Sequence, residues 1–145
     1  ILGPNLINGI IAVSIVALPG FIRIIRAAVM TEKSKLYMEA SRSFGASHFT
    51  QIFKHIIPNC MAPIIVQSTL GFSDGILNVA ALGFLGLGAQ APLPEWGVML
   101  ADARHYIELS PWMVTLHGVC ILIVVLSFNI LGDGFRDAFD PKVDD

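Results

Sequence analysis

The stretch Tyr37-Met38-Glu39-Ala40-Ser41-Arg42-Ser43-Phe44-Gly45-Ala46-Ser47-His48, running on to His55-Ile56-Ile57-Pro58, lies between two long apolar runs and decides what those runs are. Tyr37, Ala40, Ser41 and Phe44 recur on one side of a helix. Phe49, Ile52, Phe53 and Ile56 repeat the same i, i+3, i+4, i+7 spacing. Gly45 falls between the two patterns, where a helix commonly stops on a left-handed residue. Ser47 follows as an N-cap for the second piece. The expectation is two short amphipathic helices joined by a glycine elbow and carrying a basic polar face.

The flanking runs are too apolar for a soluble pair of helices. From Asn5 to Ile22 there is no charge, and crossing the ~30 Å hydrocarbon layer takes about 20 mostly apolar residues. A first span is therefore expected over about 5–25, with Arg23 and Arg26 at the interface and Pro19 tolerated as it is in membrane bundles. From Pro58 to Gly88 the only charge is Asp74. A straight helix of that length would measure about 46 Å, too long for one upright span. Gly71-Phe72-Ser73-Asp74-Gly75 is the expected place for a break or bend in a span over about 60–88, and its GxxxG spacing suits close helix packing. Asp74 is singled out because a carboxylate at membrane depth is costly and by default marks function, here a translocation pathway. The alternative is that the bend sets it near water or beside a partner's cation. Pro111 to Gly132 is the third span, with His117 read as a hydrogen-bonded core residue because no carboxylate shares its helical spacing.

Charge orients these spans. Six of the nine Lys and Arg (Arg23, Arg26, Lys33, Lys35, Arg42 and Lys54) lie between positions 23 and 55. Short cytoplasmic loops are enriched in these residues, so the loop at 31–58 is expected inside the cell. Residues 1–4 and 89–110 are then outside, and the acidic tail 133–145 is cytoplasmic. The 89–110 segment is bracketed by Trp96 and Trp112, as befits interfacial indoles, and a short surface helix is expected from Gly97 to Glu108. His105 reads as a surface residue.

Composition agrees with a membrane protein: 54% hydrophobic residues, 14% charged, mean hydropathy +0.71 and formal net charge −2. An average soluble domain is roughly a quarter charged. Membrane lipid is thus a partner, and nucleic acid is not, because no basic face is concentrated enough. Cys60 and Cys120 lie in apolar runs without CxxC spacing and read as buried thiols. Asp133, Asp137 and Asp140 recur at i, i+4, i+7 and read as a solvated face, so no metal site is expected. The chain opens on Ile1 with no basic n-region or cleavage site, and it reads as the C-terminal part of a longer polypeptide.

The residue order carries a resemblance. Glu39-Ala40-Ser41, three residues, Gly45, then a run ending Ile57-Pro58 resembles the EAA loop of ABC-importer permease subunits, with Ser41 in place of the motif's second alanine. Leu82-Gly83-Phe84-Leu85-Gly86-Leu87-Gly88-Ala89-Gln90-Ala91-Pro92, then Pro94-Glu95-Trp96-Gly97, resembles the peptide-importer branch. So do Phe128-Asn129, Gly132-Asp133, Arg136-Asp137 and Asp140-Pro141. The three stretches stand in family order and cover nearly the whole chain. The resemblance implies an all-α, polytopic membrane helix bundle of the MetI-like permease type, here three spans with cytoplasmic coupling helices. It also implies a permease subunit of an ATP-driven importer of dipeptides or short oligopeptides in a bacterial inner membrane. Two ATP-binding subunits, a second permease subunit completing the pore and an external substrate-binding protein are the implied partners. Glu39, Ala40, Ser41, Arg42, Phe44, Gly45, Ala46, His55 and Pro58 are the implied ATPase-coupling residues, with Tyr37, Ala40 and Phe44 supplying apolar contact and Glu39 and Arg42 rim charges.

The chain has no GxxxxGK[ST], so ATP and Mg are expected in partner subunits and no cofactor or catalytic residue here. A nickel, glutathione or antibiotic-peptide importer would share this permease type. A secondary carrier would place more ionisable groups near the midplane than Asp74 and His117. An intramembrane enzyme would need a site other than HExxH or GxSxG, both absent.

Overall fold

Asn5 starts the first helix: its side-chain oxygen accepts from the Ile7 N–H at 3.0 Å, satisfying one of the orphan donors of the first turn. The structure, a computed structural model, describes residues 3–139. Helix α1 runs Leu6–Lys33, through Pro19 and past both Arg23 and Arg26. At ~1.5 Å per residue it is about 42 Å long. It therefore outlasts the span expected to close near Ile25 and brings its last two turns into the polar stretch. After Ser34 and Lys35 comes α2 (Leu36–Ser43), then α3 (His48–Thr50), a π-helical segment (Gln51–Ile56) and α4 (Ile57–Asn59). Helix α5 is Met61–Phe84, α6 is Trp96–Ala103 followed by a 3₁₀ turn at Arg104–Tyr106, and α7 is Pro111–Phe139. Helices α1, α5 and α7 are each long and apolar enough to cross a membrane. Among the described residues there is no strand, so the chain is an all-α bundle of three spanning helices with short helices at both ends.

The expected break at Gly71–Gly75 does not occur. Helix α5 is unbroken there, and a Cβ at either glycine would meet nothing within 4 Å, so the GxxxG pair packs against no other helix of this chain. A glycine keeps its backbone bonds in a helix interior, and a kink needs an inserted group or a lost bond to drive it. The excess length is removed at the ends instead. A turn at Cys60 precedes α5, and after Phe84 the chain reverses on Gly86 at φ +81. There the Gly86 N–H bonds the Gly83 carbonyl and the Leu87 N–H the Leu82 carbonyl, both at 2.9 Å. That pair of bonds is a Schellman motif.

Helices α5 and α7 form the tightest pair and run antiparallel. The buried Ser73 hydroxyl donates to the Val125 carbonyl at 3.3 Å, and the Phe72 and Phe128 rings stack with centroids 5.6 Å apart. Buried Gly132 faces Thr69, where a Cβ would come within 2.6 Å of Oγ1. Small residues and hydroxyls joining helices in this way are what packing in lipid relies on, because apolar burial there gains nothing over lipid tails. Helix α1 lies against α5 more loosely, with Gly9 near Leu82 at one end and Ala28, Val29 and Ile64 all packed on the Met38, Ile56 and Cys60 cluster at the other.

At the α6 end, Gly97 sits on the carbonyl of Ala80 with no room for a side chain. Glu95 packs on Gly83 and Gly88, and its Oε2 accepts from the Ala89 N–H at 2.8 Å. Its Oε1 is buried with no hydrogen-bond partner among the described residues. The short helix expected over Gly97–Glu108 is thus α6 and its 3₁₀ turn. Cys60 is buried, whereas Cys120 is exposed, one residue round from the packed Ile121. His117 is half-buried and its Nδ1 lies 2.6 Å from the Met113 carbonyl. Helix α7 continues two turns past Gly132, leaving Asp133 and Asp137 exposed on it. Asp140, Pro141 and the rest of the tail lie outside the described residues.

Candidate coupling surface

The elbow is built by hydrogen bonds that only a left-handed residue permits. Gly45 has φ +76. Its N–H bonds the Arg42 carbonyl at 2.9 Å, and the Ala46 N–H bonds the Ser41 carbonyl at 3.1 Å, a second Schellman motif. Ser47 then caps the next helix, its hydroxyl accepting from the Thr50 N–H at 3.2 Å. Buried Gln51 closes the corner: its Nε2 donates to the Ala46 carbonyl at 3.0 Å, and its Oε1 accepts from Arg42 Nε at 3.5 Å.

Beyond Thr50 the helix widens. The segment Gln51–Ile56 is π-helical, and this changes which residues share a face. With i→i+5 bonding, Gln51 and Ile56 stack on the inner side. The expected 3.6-residue stripe of Phe49, Ile52, Phe53 and Ile56 is therefore divided. Ile56 is buried, while Phe49, Ile52 and Phe53 are exposed.

Met38 is fully buried and anchors the assembly to the spans. It packs with Ile56 and Cys60 against Ala28 and Val29 of α1 and Ile64 of α5. The outward face of α2 carries Leu36, 82% exposed, and Phe44, 90% exposed, with Ala40 also exposed. Phe49 and Phe53 are likewise exposed on the helical segment that follows the elbow. Large apolar side chains left open in this way mark an interaction site.

Glu39 and Arg42 are exposed on α2, Ser41 and Ala46 are half-buried, and Gly45 is exposed at the elbow. His55 is half-buried, its ring centroid 5.9 Å from that of Tyr37, and Pro58 is exposed in α4. Tyr37 is 38% exposed, so its ring stays open to a partner while its hydroxyl is held from within the chain. Its hydroxyl donates to Oε1 of Glu32 and accepts from Nδ2 of Asn59 at 3.4 Å. Desolvation, reinforced by the Glu32 carboxylate, pushes the Tyr37 phenol up to about 12. Because that value is raised above the ordinary 10, the phenol's contribution is full below pH 10 and is lost as pH rises through about 12. Tyr37 is a donor throughout the physiological range.

Asp74 lies mid-way along α5 and is exposed, so it is not in the interior of this chain. Its backbone carbonyl accepts from Asn78 Nδ2 at 2.8 Å. Glu32, Leu36, Met38 and Gln51 were absent from the sequence-derived set. Of these, only Glu32 left a trace in the sequence: an acid at the end of an apolar run, with Lys35 three residues on.

A family model described as "Binding-protein-dependent transport system inner membrane component" matches residues 1–145. The chain is 59% identical over 143 residues to the di/tripeptide transport system permease protein DppC of Pseudomonas aeruginosa, covering 99% of this chain and 47% of that protein. It is 52% identical over 143 residues to the dipeptide transport system permease protein DppC of Escherichia coli, covering 99% and 48%. To the glutathione transport system permease protein GsiD of Salmonella typhimurium it is 43% identical over 143 residues, covering 99% and 47%. The chain spans about half the length of the curated relatives it matches.

Proposed function

The chain belongs to the family of binding-protein-dependent transport system inner membrane components, and from that premise we propose that it forms the membrane-spanning part of a permease subunit importing dipeptides or short oligopeptides. The observation that carries the coupling mechanism is the open apolar surface of Leu36, Phe44, Phe49 and Phe53 on a glycine-turned helix pair at one end of the bundle. An ATP-binding subunit docks there, with Glu39 and Arg42 orienting it and Ala40, Ser41, Ala46, His55 and Pro58 shaping the contact. The chain itself performs no chemistry. Two ATP-binding subunits use ATP and Mg, a second permease subunit completes the pore, and an external binding protein delivers the substrate. A peptide substrate is favoured over glutathione by the higher identity to the dipeptide permeases, 52–59% against 43%.

The test is ATP-dependent uptake of a labelled dipeptide by proteoliposomes holding the complete complex. Labelled glutathione and nickel are offered in parallel. Absence of ATP-dependent dipeptide uptake from a complex that takes up labelled glutathione or nickel would overturn the peptide assignment.

Orientation follows from the Lys/Arg asymmetry, which sets the α2–α4 end in the cytoplasm, the α6 end outside and the C-terminus inside. Ser34→Cys should be protected from an impermeant thiol reagent in intact cells, and Ala91→Cys labelled. External labelling at position 34 would reverse the topology.

Asp74 lines the translocation path or meets the second permease subunit. A carboxylate left in lipid at that depth would cost roughly +2.5 to +3.5 kcal/mol on insertion scales. Asp74→Leu is expected to insert normally and to lower uptake. Wild-type uptake in that variant would remove Asp74 from the path.

A further inference from the structure

Glu32 is the one acid of the chain that the described residues bury, at 5% exposure, and it sits at the C-terminal end of α1 outside the elbow and its apolar surface. Its Oε2 pairs with Lys35 Nζ at 2.6 Å, and its Oε1 accepts from the Tyr37 hydroxyl. Tyr37 in turn accepts from Asn59 Nδ2 at 3.4 Å, and Asn59 also donates to the His55 carbonyl at 2.6 Å. Three elements therefore meet at one phenol: the end of α1, the first turn of α2, and α4, which Cys60 joins to α5. A carboxylate this buried persists only where its oxygens are satisfied.

We propose that Glu32, Tyr37 and Asn59 form a positioning relay that transmits displacement of the α2–α4 helices to α1 and α5, making Tyr37 and Glu32 determinants of coupling without contact to ATP or substrate. This rests on the reading of α2–α4 as the ATPase-docking surface and deepens it. Docking is carried by the exposed apolar face, whereas transmission is carried by this inward polar junction. The apolar contacts of Met38 with the spans can slide. The charge-assisted bond from the phenol to the Glu32 carboxylate fixes the rotation of α2 against α1, and the longer contact from Asn59 ties the same phenol to α4.

The test uses the complete transporter in proteoliposomes, with three readouts for each variant: ATP-binding subunit retained on purification, ATP turnover, and peptide taken up per ATP. Tyr37→Phe removes the donor to Oε1 and leaves the buried Glu32 carboxylate held by Lys35 alone. It should keep the ATP-binding subunit and lose about tenfold in uptake per ATP, the scale of one hydrogen bond to a charged group. Glu32→Gln keeps an acceptor for the phenol and should stay within about twofold of wild type. The deciding variant is the double change Tyr37→Phe with Glu32→Leu. Replacing both partners by apolar groups removes the half-satisfied carboxylate and leaves the half-exposed Lys35 ammonium to water, so the amount of assembled complex should return to wild type. Uptake per ATP should remain low, because the relay is still absent. If the double variant restores uptake per ATP together with abundance, the junction is only structural and the proposal fails. The proposal also fails if Tyr37→Phe alone couples normally. Failure of the docking reading looks different, since the wild-type subunit would then hold no ATP-binding subunit.

Discussion

Gly45→Val is expected to leave the subunit inserted in the membrane while sharply weakening its hold on the ATP-binding subunit and uncoupling hydrolysis from uptake. The backbone at Gly45 has φ +76, and a Cβ there would meet nothing within 4 Å. The penalty is therefore conformational and not a clash. A β-branched residue held in the left-handed region costs of order 1–3 kcal/mol, which the chain relieves by opening the turn. Opening it breaks the two bonds of the Schellman motif, from Gly45 to Arg42 and from Ala46 to Ser41, and withdraws the acceptor of Gln51 at Ala46. Phe44 and Phe49 flank the elbow, so their relative positions would shift and the apolar surface would no longer match a fixed groove. Docking should weaken on the order of tenfold or more, at about 1.4 kcal/mol per factor of ten. Gly45→Ala carries a smaller strain, and overproducing the ATP-binding subunit should partly restore its uptake by mass action. Co-purification and uptake measured together decide the matter. A Gly45→Val subunit that binds its partner and transports normally would return these helices to an ordinary hairpin.

The second large effect belongs to the opposite end. Gly97→Ala is expected to detach α6 from α5, because the added carbon would overlap the Ala80 carbonyl and come within 2.8 Å of both its carbon and its Cα. A backbone neighbour cannot rotate aside as a side chain can, so the helices must separate. Overpacking of this kind costs about 1–3 kcal/mol. Separation would also disturb Glu95, which precedes Gly97 by two residues and fills the space over Gly83 and Gly88. A lower unfolding temperature in detergent and faster proteolysis between α5 and α7 are the expected observations. Gly71→Ala and Gly75→Ala, in open positions on α5, should be neutral or slightly stabilising, since alanine favours a helix by about 1 kcal/mol. Equal behaviour of the Gly97 and Gly71 variants would mean that α6 does not bear on α5 as described.

Much of this arrangement was legible in the chain. Three apolar runs of spanning length, the glycine elbow and the Ser47 cap could all be read because each is set locally. Hydrophobic length decides what enters a bilayer, and turn and cap residues act on backbone groups within a few positions. The motif stretch Glu39 to Gly45 was picked out by residue order, and the structure shows Phe44 exposed and Gly45 left-handed within it. Two positions came out otherwise for one shared reason. Gly71 and Gly75 looked like a break in the helix, and Ile56 like a member of the Phe49 stripe. Each assignment assumed regular geometry and no knowledge of neighbours.

The sequence by itself determined an all-α membrane chain, its three spans and its family. Composition, run length and residue order need no tertiary contact to act. Only the tertiary structure decided what each polar or small residue is for. Gly97 and Gly132 meet a neighbouring helix while Gly71 and Gly75 meet none, although all four are glycines in apolar surroundings. The Tyr37 hydroxyl is fixed because Glu32, five residues earlier and across a helix break, is buried and accepts its proton, although the ring stays 38% exposed. Gln51 and Ile56 share a face because the helix widens to π geometry there. Such outcomes depend on which surfaces the spans bring together. In a bilayer those surfaces are selected by close packing and hydrogen bonding between helices, not by hydrophobicity, since lipid satisfies an apolar face as well as protein does.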